Sequence, residues 1–95
     1  MTELTVESRS YAAGVVMALT GELDMATTPQ VERELARHAP GSVVLDLRGL
    51  TFLDSSGVRV VIAAHLDAEG AGERLLVVRG PRQVQRVFAI RTNHS

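Results

Sequence analysis

The chain has 95 residues, enough for one domain but not two, and a domain of this size buries about 60 to 70% of the surface its unfolded chain exposes. Ten basic residues, all arginine, face eleven acids, so a formal net charge of −1 gives no reason to expect direct nucleic-acid binding or attraction to an anionic membrane surface. Cysteine is absent, which excludes disulfides, zinc thiolate sites and cysteine nucleophiles and makes a cytoplasmic location the expectation. The amino terminus lacks the basic start and apolar stretch of a signal peptide, and the longest apolar run, residues 60–64, is far too short to span a membrane. His38, His65 and His94 are widely separated with no second ligand at helical spacing, so neither a metal site nor a cofactor is expected.

In chain order, strand and helix patterns alternate with short loops. Residues 4–7 alternate apolar and polar, as a half-covered strand does. A second strand, residues 15–19, follows a connection containing Gly14. Beyond Asp24, Thr28 is positioned as a helix N-cap and Pro29 as the first helical residue, where a missing N–H costs nothing. Val31 and Leu35, one turn apart, point inward from that helix, while Glu32, Arg33 and Arg37 face water and Pro40-Gly41 ends it. Residues 43–47 hold one acid, Asp46, in an apolar run, the pattern of a strand covered on both faces. Whether Asp46 is buried and paired or lies at an exposed end is open. From Val58 the apolar positions Val58, Val61, Ile62 and Leu66 fall at helical offsets, and Gly70-Ala71-Gly72 supplies residues that end a helix. A short strand at residues 75–78 follows, and Gly80-Pro81 opens a last helix with Val84, Val87 and Phe88 on one face. Phe52 and Phe88 are expected in the core.

The order β-β-α-β-α-β-α predicts a single α/β domain. Its sheet is mixed and mostly parallel, with an antiparallel first strand, and right-handed crossovers place the helices on one face. The strand-to-helix loops then gather at the carboxyl end of the parallel strands, the usual place for a site in an open α/β sheet. Asp24 and the turn Asp54-Ser55-Ser56-Gly57 both fall on that edge and are expected to be neighbours. Asp54, Ser55 and Ser56 are also the residues available to cap a first helical turn whose N–H groups lack partners. Gly57 fits a close packing contact or an unusual backbone angle.

Thr20-Gly21-Glu22-Leu23-Asp24, with Leu45-Asp46-Leu47 and Phe52-Leu53-Asp54-Ser55-Ser56-Gly57, resembles the STAS domain, the module named for sulfate transporters and anti-sigma factor antagonists. The likeness spans residues 4–88 and is nearest to the stand-alone bacterial antagonists. It implies that an ATP-dependent serine kinase, itself the anti-sigma factor, phosphorylates the first serine after the aspartate, here Ser55. The unphosphorylated protein would bind that kinase and free its sigma factor, and a serine phosphatase would reset the modified form. By the same resemblance Asp24, Asp54, Ser55, Ser56 and Gly57 form the partner-binding surface. Asp24 alternatively begins the turn toward Thr28, and Asp54 and Ser56 alternatively act as plain caps. Antagonists of this type continue into a further strand and carboxyl-terminal helix, whereas residues 1–95 form one STAS domain lacking them. Apolar surface left bare by that difference would favour self-association.

Two other classes compete. A scaffold or transporter-associated STAS subunit would use the same fold for permanent assembly. An enzyme with Ser55 as nucleophile would need a base and an oxyanion site, and neither a Gly-x-Ser-x-Gly elbow nor a sequence-adjacent histidine is present. Gly70-Ala71-Gly72 follows a helix instead of opening one, so a phosphate-cradling loop is not expected. The chain is therefore read as a non-enzymatic binding protein.

Overall fold

The computed structural model describes residues 3–79. The elements are β1 (Leu4–Tyr11), β2 (Gly14–Leu23), α1 (Thr28–Arg37), β3 (Val43–Leu53), α2 (Ser55–Gly70) and β4 (Leu75–Val78). They form a four-stranded sheet in the order β1-β2-β3-β4, with β1 antiparallel to β2 and the other two pairings parallel. This is the mixed sheet with an antiparallel first strand that the pattern predicts. The expected third helix, Phe88 and the carboxyl-terminal departure lie outside the described residues.

Strands β1, β2 and β3 run well past the apolar stretches that mark them in the sequence, because ladder hydrogen bonds continue where side chains turn polar. Register runs from Leu4 opposite Gly21 to Tyr11 opposite Gly14, and from Val15 opposite Val43 to Leu23 opposite Leu53. Alternate residues Met17, Leu19 and Leu23 of β2 and Val43, Leu45 and Leu47 of β3 are buried. They meet Val31 of α1 and Val58 and Val61 of α2 in one core, so both described helices lie on the same face. Each fully buried side chain of this kind stabilises the fold by about 1.5 to 3 kcal/mol.

The other face of the sheet carries Val44, Asp46 and Arg48 in the intervening positions. There Asp46 accepts from Arg48 Nε at 3.0 Å and from Nη2 at 2.9 Å. That hydrogen bonding holds the Asp46 carboxyl below its ordinary range. The residue left open by the sequence is thus half-buried and paired within its own strand.

The register shifts twice, first between Ala18, opposite Asp46, and Thr20, opposite Gly49, and again between Gly21, opposite Leu50, and Glu22, opposite Phe52; each shift leaves one extra residue on β3, the second of them Thr51. Each extra residue sends the side chains after it to the other face, so the first brings Leu50 inward and the second restores the alternation of residues 43–47. Leu50 is fully buried, Leu53 again packs inward, and Phe52 is turned out, with 47% of its surface exposed. Phe52 is therefore not a core residue, contrary to the expectation from its apolar character.

Candidate functional site

Both helices start at the carboxyl end of the parallel strands, and the two starts are adjacent. Leu23 pairs with Leu53 at the ends of β2 and β3, and the Asp54 amide donates to the Leu23 carbonyl at 3.3 Å. Asp24 and Asp54, each following one of these leucines, are brought side by side as expected.

At the start of α2 the chain turns sharply. Asp54 is the N-cap, in an extended conformation, and its carboxylate accepts from the Gly57 amide at 3.1 Å. The Val58 amide reaches the Asp54 carbonyl at 3.1 Å. Ser55 is therefore the first helical residue and Ser56 the second, and neither serine hydroxyl acts as the cap. Ser55 is exposed, Ser56 and Asp54 are half-buried, and Gly57 is buried. No hydrogen bond occupies the Ser55 hydroxyl, or the amides of Ser55 and Ser56, among the described residues. Gly57 lies below the surface. A Cβ there would fall 2.5 Å from Leu53 Cδ1 and 2.8 Å from Leu23 Cγ, so only glycine lets the helix start sit so close to the two strand ends. The far end of α2 closes through Gly72, at φ +74°, with the Glu73 amide bonded to the Ala68 carbonyl.

The start of α1 is built differently. Thr27, not Thr28, is the N-cap position, and it makes no side-chain cap bond to the helix. Its hydroxyl instead accepts from the Asp24 amide at 2.9 Å and donates to the Glu22 carbonyl at 2.9 Å. The Asp24 carboxylate accepts from the Ala26 amide at 2.9 Å and the Thr27 amide at 3.2 Å, closing a turn. Asp24 thus has the structural role that its sequence position allowed, with one carboxylate oxygen engaged in the turn. Met25, held at the tip of this turn, is 77% exposed.

The edge is acidic. Glu22, Asp24 and Asp54 are each half-buried, and among the described residues none is within ion-pair distance of an arginine or histidine. No group of acids and histidines among the described residues has the arrangement to hold a metal ion. No helix among them is long and apolar enough to cross a membrane. Sequence reasoning missed Met25 and Phe52 at this edge. The signal for Phe52 was Gly49, a glycine inside a strand pattern two residues before the extra residue Thr51.

Comparison with known proteins agrees with this architecture. A family model described as "Mlab, STAS domain" matches residues 7–92. The anti-sigma F factor antagonist of Lysinibacillus sphaericus is 28% identical over 78 residues, which cover 78% of this chain and 67% of that protein. The antagonist of the same name from Paenibacillus polymyxa is 30% identical over 66 residues, 65% of this chain and 56% of that one. In structure, the chain superposes on the anti-sigma factor antagonist SpoIIAA in its unphosphorylated form with a TM-score of 0.78 at 24% identity, covering 93% of this chain and 81% of the other. With the family model spanning most of its length, the chain belongs to the STAS domain family.

Proposed function

We propose that this STAS domain is an anti-sigma factor antagonist whose unphosphorylated form binds a serine-kinase anti-sigma factor and releases a sigma factor, and that phosphorylation of Ser55 ends the binding. The observation that carries this reading is the unbonded, exposed hydroxyl of Ser55 at the start of α2, beside Asp24 and Asp54. Its relatives in sequence are named as antagonists of anti-sigma F factor, which supports the same role.

In the transfer step the Ser55 oxygen attacks the γ-phosphorus of ATP held by the kinase. An oxygen–phosphorus bond forms at Ser55, the bond to the bridging oxygen of the leaving ADP breaks, and the hydroxyl proton passes to a base on the kinase. A serine phosphatase resets the site by directing water onto the same phosphorus, which returns the hydroxyl and releases inorganic phosphate. The chain is substrate in both steps and not catalyst. On this reading the protein works in the cytoplasm, where the kinase has its ATP.

The helix start tolerates the product. Phosphorylation adds about −1.5 to −2 charges, and the free amides and dipole at a helix N-terminus favour an anion there. Arg59, four residues on and exposed, adds a cation on the same side of α2. The docking surface does not tolerate it. The new charge lies beside Asp24 and Asp54, its bulk keeps an apposed protein at a distance, and its desolvation opposes closure. A shift of about 1.4 kcal/mol at such an interface already changes affinity tenfold.

Incubation with the kinase anti-sigma factors of the source genome and ATP tests the reading. One added phosphate, mapped to Ser55 and absent in Ser55→Ala, is the expected result. Modification elsewhere, or stable co-purification with a complex that lacks a kinase, would overturn it, the latter in favour of the scaffold role.

A further inference from the structure

We infer that Met25 and Phe52 are paired apolar anchors of the partner surface, one on each side of the acid and serine centre, and that they fit a protein face with apolar recesses bordered by basic side chains. The inference rests on the kinase-binding reading and names how the partner is held. Among the described residues Met25 and Phe52 are two of five large apolar side chains that remain substantially exposed. The other three, Tyr11, Leu66 and Leu76, are not next to the serine junction in chain or register. Met25 directly follows Asp24, at the tip of a turn fixed by four hydrogen bonds. Phe52 lies two residues before Asp54 and pairs with Glu22 across the ladder.

Neither side chain is exposed through looseness of the chain. The bulge at Thr51, whose hydroxyl bonds to the Gly21 carbonyl at 3.1 Å, turns Phe52 outward while returning Leu53 to the core. An aromatic ring and a thioether held out in water by well-bonded backbone are the residue types that dominate protein interfaces. Asp24 precedes Met25, Glu22 pairs with Phe52 and Asp54 follows it by two residues, and none of these acids is ion-paired among the described residues, so charge complementarity selects a basic partner face. A phosphate on Ser55, at the same edge, adds charge and bulk to the surface that carries both anchors.

The test measures affinity for the cognate kinase anti-sigma factor in the presence of magnesium and ADP, for the whole chain and for Met25→Gln, Phe52→Thr and their combination. Each single change should weaken binding about tenfold or more, with an unaltered melting temperature, and Leu66→Gln at the opposite end of α2 should bind as the parent does. Added salt should weaken every variant alike. Full affinity in Met25→Gln and Phe52→Thr, alongside lost affinity in Ser55→Glu, overturns the anchors and leaves the switch standing. No binding by the parent chain overturns both. A change in oligomeric state on ultracentrifugation, with kinase binding intact, would assign the patch to self-association instead and overturn the inference.

Discussion

Thr27 and Ser55 are hydroxyl residues at the starts of two helices on the same edge of one sheet, yet their circumstances are opposite. Thr27 is 4% exposed and its hydroxyl links the end of β2 to the Asp24 turn. Ser55 is exposed and its hydroxyl links nothing among the described residues, because Asp54 already caps the helix. The helices are fastened accordingly. Polar bonds to β1 add to the packing of Val31 in α1: Gln30 donates to the Leu4 carbonyl, and Glu34 accepts from Ser8 at 2.6 Å. Apolar packing fixes the start of α2, where Gly57 meets Leu23 and Leu53 and Val58 is fully buried. A helix start that needs no hydrogen bond from its first side chain leaves that side chain available for chemistry.

The contrast is open to breakage at several points, the largest at Gly57. Gly57→Val places branched carbon where even a Cβ overlaps Leu23 and Leu53. It should cost about 1 to 3 kcal/mol or more from overpacking, measured by urea unfolding. Thr27→Val keeps the shape and removes the bonds to the half-buried Asp24 amide and to the Glu22 carbonyl, a loss of about 1 to 3 kcal/mol that should leave phosphorylation of Ser55 intact. Asp54→Ala removes the cap and should cost about 0.5 to 2 kcal/mol. Ser55→Ala should change stability by less than about 0.5 kcal/mol while abolishing phosphate uptake. A loss as large as that of Thr27→Val would make Ser55 a structural residue and erase the contrast.

Acid sharpens the polar side of the comparison. The Ser8 hydroxyl first, and then His38, hold the Glu34 carboxyl below its ordinary value of 4.5. A carboxyl with a lowered folded-state value stabilises the protein above its unfolded value and loses that contribution as pH falls through the folded one. The melting temperature should therefore decline below about pH 4.5, and Ser8→Ala should make the decline shallower.

Much of this arrangement is legible in the residues. The apolar run of β3 leading into Asp54-Ser55-Ser56-Gly57, followed by helical spacing, marks the junction, and the order of elements places Asp24 beside it. Gly70-Ala71-Gly72 marks the end of α2. What the pattern concealed came from pairing across strands. The two extra residues of β3 depend on how β2 lies against it, and the outward turn of Phe52 follows from that pairing, which its apolar character does not reveal. The sequence points to Thr28 as the cap of α1 because Pro29 at the first helical position is the common arrangement, whereas here Pro29 is the second helical residue. Thr27 is recognisable only once the Glu22 carbonyl that it bonds is in view. The distinction between a bonded and a free hydroxyl is likewise a matter of tertiary contact.

The central claim, that a phosphate on Ser55 alters the docking surface and not the fold, is tested most directly by preparing the protein with phosphoserine at position 55. Its affinity for the kinase anti-sigma factor and its backbone amide spectrum are then compared with those of the unmodified chain. The account predicts affinity reduced about a hundredfold or more, a change of roughly 2.7 kcal/mol, with amide shifts confined to Ser55, its neighbours in α2 and the Asp24 turn. Equal affinity, or shifts spread through β1 and the far end of α1, would contradict it.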